Sequence, residues 1–241
     1  AQDGLIAGVP ARMPKRTDLK SILIIGAGGL GSAAAPYLAA AGVGEISLVD
    51  HDKVELTNLQ RQIMHSQNSI GKSKVESGKQ FLQSINPTLT VNAIAEKATE
   101  NLLNELLPTV NLVLDCTDNF ATRQLINATC LHQKVPLVSG SALKFDGQLS
   151  VFDFRNEASP CYACLFSPDE QFEEVSCASM GIFSPLVGII GAMQAAQALQ
   201  VLIGFGRTLV GRMLLWNALN TQIDEIRISR NPACKVCGSQ H

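Results

Sequence analysis

Histidine is scarce in this chain: there are four in 241 residues, none in a suggestive cluster, and no Ser-His-Asp pattern is evident. Chemistry of the triad type is therefore disfavoured. Charge bias is also nearly absent. A formal net charge of −2 gives no electrostatic reason to expect nucleic acid as the main partner. The opening 1–16 has no apolar h-region, so the seven cysteines are expected to work as thiols in the reducing cytoplasm. No internal repeat and no low-complexity segment is present. One stretch, 183–205, is almost wholly apolar. Within it Gln194, Gln197 and Gln200 fall at three-residue spacing on one helical side, which favours a buried core helix over a membrane span. An apolar content of 46% and this length suit one large or two small domains with a full core.

Two features stand out against these absences. Cys161/Cys164 and Cys234/Cys237 form two Cys-x-x-Cys pairs, and four thiolates so grouped suit one tetrahedral Zn²⁺. A C-terminal knuckle returning to a mid-chain knuckle reads as a structural clamp. Upstream, Gly26-Ala27-Gly28-Gly29-Leu30-Gly31 follows the short aliphatic strand expected at Ser21–Ile25 and opens an Ala-rich helix at 30–41. Gly26 permits a tight turn, Gly28 lets backbone N–H groups approach a phosphate, and Gly31 allows close helix–strand packing.

The alternation continues. Strands are expected at 45–50, 89–95, 112–116 and 135–139, with helices at 72–85, 99–107 and 119–133. This βαβ pattern predicts a doubly wound, mostly parallel sheet with its chemistry at the carboxyl ends of the strands. The pattern then changes. Residues 148–154 alternate apolar and polar behind an Asp146-Gly147 turn, which argues for antiparallel pairing. A polar loop is expected over 165–179, then the long helix, then two more strands at 212–216 and 223–228.

Asp50 closes the second strand where a carboxylate would take ribose hydroxyls. To this point an NAD-dependent oxidoreductase fits equally well. Three further charges shift the balance: Arg61 in Thr57-Asn58-Leu59-Gln60-Arg61-Gln62, Lys74 at a helix start, and Asp118 in Asp115-Cys116-Thr117-Asp118-Asn119. Arg61 and Lys74 suit charge building on a triphosphate, and Asp118 suits Mg²⁺. A dehydrogenase needs none of the three.

The glycine loop, the Asn58–Gln62 run, Lys74, the Asp115–Asn119 segment and the two cysteine pairs together resemble the MoeB/ThiF/HesA family, bacterial relatives of ubiquitin-activating enzymes. The resemblance runs from about Leu19 to the C-terminus. It implies a Rossmann-like adenylyltransferase that uses ATP and Mg²⁺ to adenylate the C-terminal Gly-Gly carboxylate of a small ubiquitin-like sulfur-carrier protein, releasing pyrophosphate. A MoaD-type carrier of molybdopterin synthesis is the first expectation and a ThiS-type carrier of thiamine thiazole synthesis the second. By motif, Gly28, Gly29, Asp50, Thr57, Asn58, Leu59, Gln60, Arg61, Lys74, Asp118 and Asn119 would contact ATP. Arg61 and Lys74 would lie on the phosphates, Asp118 would ligate Mg²⁺, and Cys161, Cys164, Cys234 and Cys237 would hold structural Zn²⁺.

The resemblance also implies a homodimer and makes Cys177 a candidate for covalent attachment to the carrier; a small, partly buried residue at the entrance to the long helix is the alternative reading of Cys177. Cys116 and Cys130 read as core residues. An N-terminal segment over 1–18 would precede one adenylation domain over 19–241, with an ATP-binding half at 19–142 and a carrier and zinc half at 143–241. The family opens with an Arg-Tyr-x-Arg-type motif that the first 20 residues lack, with Arg12 or Arg16 the substitutes at hand. A non-catalytic carrier-binding scaffold therefore stands as a further reading. With no rhodanese-type extension, the sulfur donor is expected to be a separate protein.

Overall fold

The structure, a computed structural model, describes residues 20–169 and 181–238. The expected loop over 165–179 with Cys177 falls largely outside the described residues, as do Arg12 and Arg16. Among the described residues, five α-helices and eight strands run in the order β1 (Ser21–Ile25), α1 (Gly29–Ala40), β2 (Glu45–Val49), α2 (Lys74–Ile85), β3 (Thr90–Ile94), α3 (Glu100–Leu106), β4 (Leu112–Asp115), α4 (Phe120–Gln133), β5 (Leu137–Leu143), β6 (Asp146–Phe152), α5 (Ser184–Ile203), β7 (Arg212–Asn217) and β8 (Gln222–Arg227). The strands form one sheet in the order β3-β2-β1-β4-β5-β6-β7-β8. Pairing is parallel from β3 through β5 and antiparallel from β5 to β8.

The central strands are aliphatic because both of their faces are covered. Ile22 and Ile24 of β1 face one core with Leu38, Ile46, Leu48 and Leu186. Leu23 and Ile25 alternate to the opposite core with Val113, Leu103 and Ile126. Cys161, Tyr162, Cys234 and Cys237 belong to that second core. The cysteine clamp is therefore built onto the face that α3 and α4 cover.

The apolar stretch after 183 forms α5. Its length and composition would allow it to cross a membrane, yet Leu186, Val187, Ile190, Gly191, Gln194, Ala195 and Ala198 are buried within the fold. Gln194 is fully buried and donates to the main-chain oxygens of Asp115 (2.7 Å) and Val138 (3.4 Å). A glutamine so placed ties the helix to β4 and β5. A Cβ on Gly191 would come within 2.4 Å of Leu30 O, so α1 and α5 touch backbone to backbone there.

The hairpin joining β5 and β6 departs from the sequence reading. Leu143 pairs with Asp146, so the turn is Lys144-Phe145, and Asp146-Gly147 lies within β6. Lys144 takes the left-handed φ of 52°. Gly147 serves packing instead of turning, because a Cβ there would lie 2.6 Å from Ile190.

Candidate functional site

Strand order reverses at β1, which has β2 on one side and β4 on the other. At such a switch point the connections leave in opposite directions and open a crevice at the carboxyl ends of the strands. A cleft of about 370 Å³ occupies that place. Gly26, at φ 100°, is where β1 turns into it, and a Cβ there would lie 2.6 Å from Cys116 O. The first turn of α1 follows at once, presenting unpaired N–H groups and the positive end of the helix dipole.

The glycine loop is held from two sides at Ala27. Its N–H donates to Asp50 Oδ2 (2.7 Å), while Asp50 Oδ1 accepts from the Asp52 N–H (2.8 Å). The Ala27 carbonyl meets His65 Nε2 at 2.9 Å, and His65 Nδ1 lies 3.0 Å from Ser77 Oγ. A carbonyl only accepts, so Nε2 carries the proton and Nδ1 accepts from Ser77. Burial lowers the His65 pKa, as does the nearby Lys74 charge, while the Ala27 contact and Asp50 oppose the shift.

Lys74 begins α2 and is buried, with Nζ 2.8 Å from Asp52 Oδ2. Burial works to raise the Asp52 pKa, but its hydrogen bond and attraction to Lys74 leave it below the ordinary carboxylate value. Arg61 donates from Nη1 to Thr57 O (3.2 Å) and lines the cleft. Asp118 stands exposed at the cleft wall, in the loop between β4 and α4. Asn119 caps α4, its Oδ1 accepting from the Thr122 N–H at 2.8 Å.

The fold thus brings Gly28, Gly29, Asp50, Asn58, Arg61, Lys74, Asp118 and Asn119 to one cleft. Thr57, Leu59 and Gln60 are not part of its lining. Thr57 is turned to Glu55 Oε2 (3.3 Å), and Gln60 Oε1 accepts from Ser184 Oγ at the start of α5. Asp52 and Gln62, which line the cleft, and His65, which holds the glycine loop without lining the cleft, were passed over by sequence reasoning. Only Gln62 carried a signal, by adjoining Arg61. It is 3% exposed, and its Oε1 is buried at the cleft without a partner, an acceptor that a bound donor would satisfy.

The second cluster is packed against α4. Sγ atoms of Cys161 and Cys234 are 3.7 Å apart, those of Cys164 and Cys237 3.3 Å, and those of Cys161 and Cys164 3.9 Å. All four lie within 4.8 Å of one another. Tetrahedral Zn²⁺ with Zn–S of about 2.3 Å requires S···S of about 3.8 Å, so the donor set and its spacing fit zinc. Burial pushes the Cys161 thiol up, reinforced by its neighbours, and pushes Cys237 up to about 11. Burial opposes ionisation of Cys234 as well, but the Cys237 and Val236 N–H groups outweigh it and lower its pKa. Four thiolates packed so closely need a dication among them. Main-chain N–H groups of Cys161 (3.5 Å) and Asn231 (3.4 Å) point at the Cys164 sulfur, the kind of outer support that orients a ligand. By contrast, burial raises the pKa of Cys116 and Cys130 far above neutrality; they are inert core thiols, as their sequence context suggested.

A third arrangement joins the two sites. Arg123, on α4, is 7% exposed and donates from Nη2 to the carbonyl of Thr117. Tyr162, between Cys161 and Cys164, donates its N–H to Asn127 Oδ1 at 2.8 Å. Burial raises the Tyr162 hydroxyl pKa, and the Arg123 guanidinium beside it pulls the other way.

Sheet order, switch-point cleft and four-cysteine cluster define an α/β protein of the nucleotide-binding type with a cysteine cluster spaced for a metal ion. The chain belongs to the ThiF family, which it matches over residues 6–236. It is 43% identical over 219 residues to the molybdopterin-synthase adenylyltransferase of Escherichia coli strain K12, covering 90% of this chain and 86% of that one. A sulfur carrier protein adenylyltransferase of Thermus thermophilus is 39% identical over 230 residues, covering 94% and 85%. Among solved structures, E. coli MccB with ATP superposes with a TM-score of 0.81 at 24% identity, over 92% of this chain and 68% of that one. That likeness is one of fold.

Proposed function

We propose that this protein adenylates the C-terminal carboxylate of a small ubiquitin-like sulfur-carrier protein of the MoaD type, for molybdopterin synthesis. The observation that carries the reading is the convergence of Arg61, Lys74 and Asp118 on the glycine-loop cleft in a chain 43% identical to an enzyme named for that activity. The Thermus relative, named for a sulfur carrier in general, keeps a ThiS-type carrier as the second reading.

The chemistry asks little of acid–base groups. A C-terminal carboxylate has a pKa near 3.5, so at neutral pH it is already a nucleophile. Its oxygen attacks the α-phosphorus of ATP; that P–O bond forms as the bond to the bridging α–β oxygen breaks, and pyrophosphate leaves. The work of the protein is positioning and charge stabilisation. The glycine loop and the start of α1 receive phosphate oxygens, Lys74 and Arg61 offset the charge moving to the leaving group, and Asp50 takes the ribose. Asp118 would hold Mg²⁺, which supplies charge neutralisation on the phosphates. Buried Asn58 supports that wall, and Asn119 orients the Asp118 loop by capping α4. Cys161, Cys164, Cys234 and Cys237 would hold Zn²⁺ in a structural role. Further parts of the same reading are a homodimer, a separate sulfur donor, a cytoplasmic setting, and Cys177 as a residue for covalent attachment to the carrier.

ATP–pyrophosphate exchange tests it. Exchange requiring Mg²⁺ and an intact Gly-Gly tail, faster with a MoaD-type than with a ThiS-type carrier, is expected. Tight ATP binding without exchange on either carrier would point instead to a carrier-binding scaffold.

A further inference from the structure

Helix α4 makes specific polar contacts with both the cysteine clamp and the wall of the cleft. At its start, Asp118 and Asn119 belong to the cleft wall. One turn apart on its inner face, Arg123 and Asn127 are buried at 7% and 0% exposure. Asn127 takes the Tyr162 N–H, and Gln124 Nε2 donates to Phe166 O at 2.7 Å just past the knuckle. The knuckle is thus seated on α4 at two main-chain points, in addition to ring contacts of Tyr162 with Phe120, Phe152 and Phe166.

Thr117, the residue before Asp118, is held at all three of its polar atoms. Its N–H (3.0 Å) and hydroxyl (2.7 Å) both donate to Asp115 Oδ1, and its carbonyl accepts from Arg123. Asp115 is itself fixed, since Oδ2 accepts from Ser139 Oγ at 3.0 Å and its main-chain oxygen from Gln194. The first two restraints on Thr117 come from the sheet. The third depends on a buried guanidinium, and Arg123 shares a small cavity with Tyr162, Ser139 and Phe166. A buried cation keeps one direction only while its surroundings are rigid, and one wall of that cavity is the residue enclosed by Cys161 and Cys164.

We propose that Arg123 and Tyr162 are positioning residues that couple the cysteine clamp to the loop carrying Asp118, so that the clamp tunes Mg²⁺·ATP binding as well as stability. The role of Asp118 rests on the adenylation reading above. When the knuckle is closed, the Tyr162 hydroxyl and rings hold the guanidinium over the Thr117 carbonyl. When it loosens, the guanidinium turns to water, the carbonyl is released, and Asp118 loses its fixed direction towards the phosphates.

Tyr162→Phe and Arg123→Lys, singly and together, test the coupling. The measurements are zinc content, melting temperature, calorimetric titration with ATP in the presence and absence of Mg²⁺, and amide exchange over residues 115–123. Tyr162→Phe should keep its zinc and nearly its melting temperature. Its Mg²⁺·ATP affinity should fall about two- to tenfold, the range for one hydrogen bond, with a smaller loss for ATP alone and faster exchange at 117–119. The double variant should be no worse than the poorer single one, because both residues act through the same contact. A clamp that is structural only would move none of these readings in Tyr162→Phe, and that result overturns the proposal. If Arg123→Lys fails to fold, Tyr162→Phe decides alone. If Mg²⁺ does not strengthen ATP binding to the wild type, the metal part of the proposed function fails, and exchange at 117–119 decides the coupling by itself.

Discussion

Lys74 Nζ lies 2.8 Å from Asp52 Oδ2, and of the two side chains only that of Lys74 is buried, at 7% exposure against 53%. The pair sets the Lys74 ammonium beside the cleft before any phosphate arrives. One of its three donors is taken by Asp52, and the others remain for a ligand. Lys74→Met should therefore lower the exchange rate by about 10²–10³, the effect of losing one electrostatic contact to a transition state. Asp52→Asn keeps the hydrogen bond without the charge. It should change stability by less than about 1 kcal/mol, since its side chain is half in solvent, and raise the KM for ATP only a few-fold. Normal exchange in Lys74→Met would remove that residue from the phosphates.

Asp118 is exposed, so its removal should leave the fold intact. Asp118→Ala is expected to abolish Mg²⁺-dependent exchange while shifting unfolding free energy by no more than about 0.5 kcal/mol. Turnover at the wild-type rate in this variant would take Asp118 out of the metal role.

The four sulfurs are spaced for one ion, and the prediction for them is compositional as well as energetic. Metal analysis should find one zinc per chain. Cys234→Ser should lower that ratio and cost about 10 °C in melting temperature, because ion binding and folding of the clamp are one process. A ratio near zero in the wild type would sink the four-thiolate assignment.

His65 supplies a pH signature. Its pKa is lowered in the fold, chiefly by burial, so above the ordinary value of about 6.5 it is neutral in both states. As pH falls below that value the unfolded chain binds a proton that the folded chain resists, and stability declines towards the folded pKa. The slope is at most about 1.4 kcal/mol per pH unit for one group. Lys74 and Asp50 are the charged groups that bear on it, with opposite signs. Urea unfolding between pH 5 and 7.5 should show this decline in the wild type and a flatter profile in His65→Gln; equal profiles would show that other groups set the acid sensitivity.

Cys177 belongs to a later step in the proposed sequence. Cys177→Ala should leave adenylate formation unchanged, whatever becomes of sulfur transfer. Loss of pyrophosphate exchange in that variant would mean that the two steps are not separable.

The parts of this protein that sequence determined are those governed by short-range chemistry. The glycine loop is recognisable because only glycine tolerates the φ of Gly26 and the approach of its Cα to Cys116 O. The paired cysteines are recognisable because one ion needs two close donors from each knuckle. Alternating aliphatic runs and amphipathic segments mark βαβ units because a strand buried on both faces must be apolar throughout. Tertiary structure decided the rest. The hairpin turn fell at Lys144-Phe145 because β6 had to bring Gly147 under Ile190 of α5, a contact between segments 43 positions apart. Asp52 is paired with Lys74, Gln194 reaches Asp115 O, and Tyr162 is seated on Asn127, each across elements that meet only when the sheet is assembled. Such partners leave no local pattern, because a side chain's hydrogen bonds are set by which surfaces the folded chain brings together.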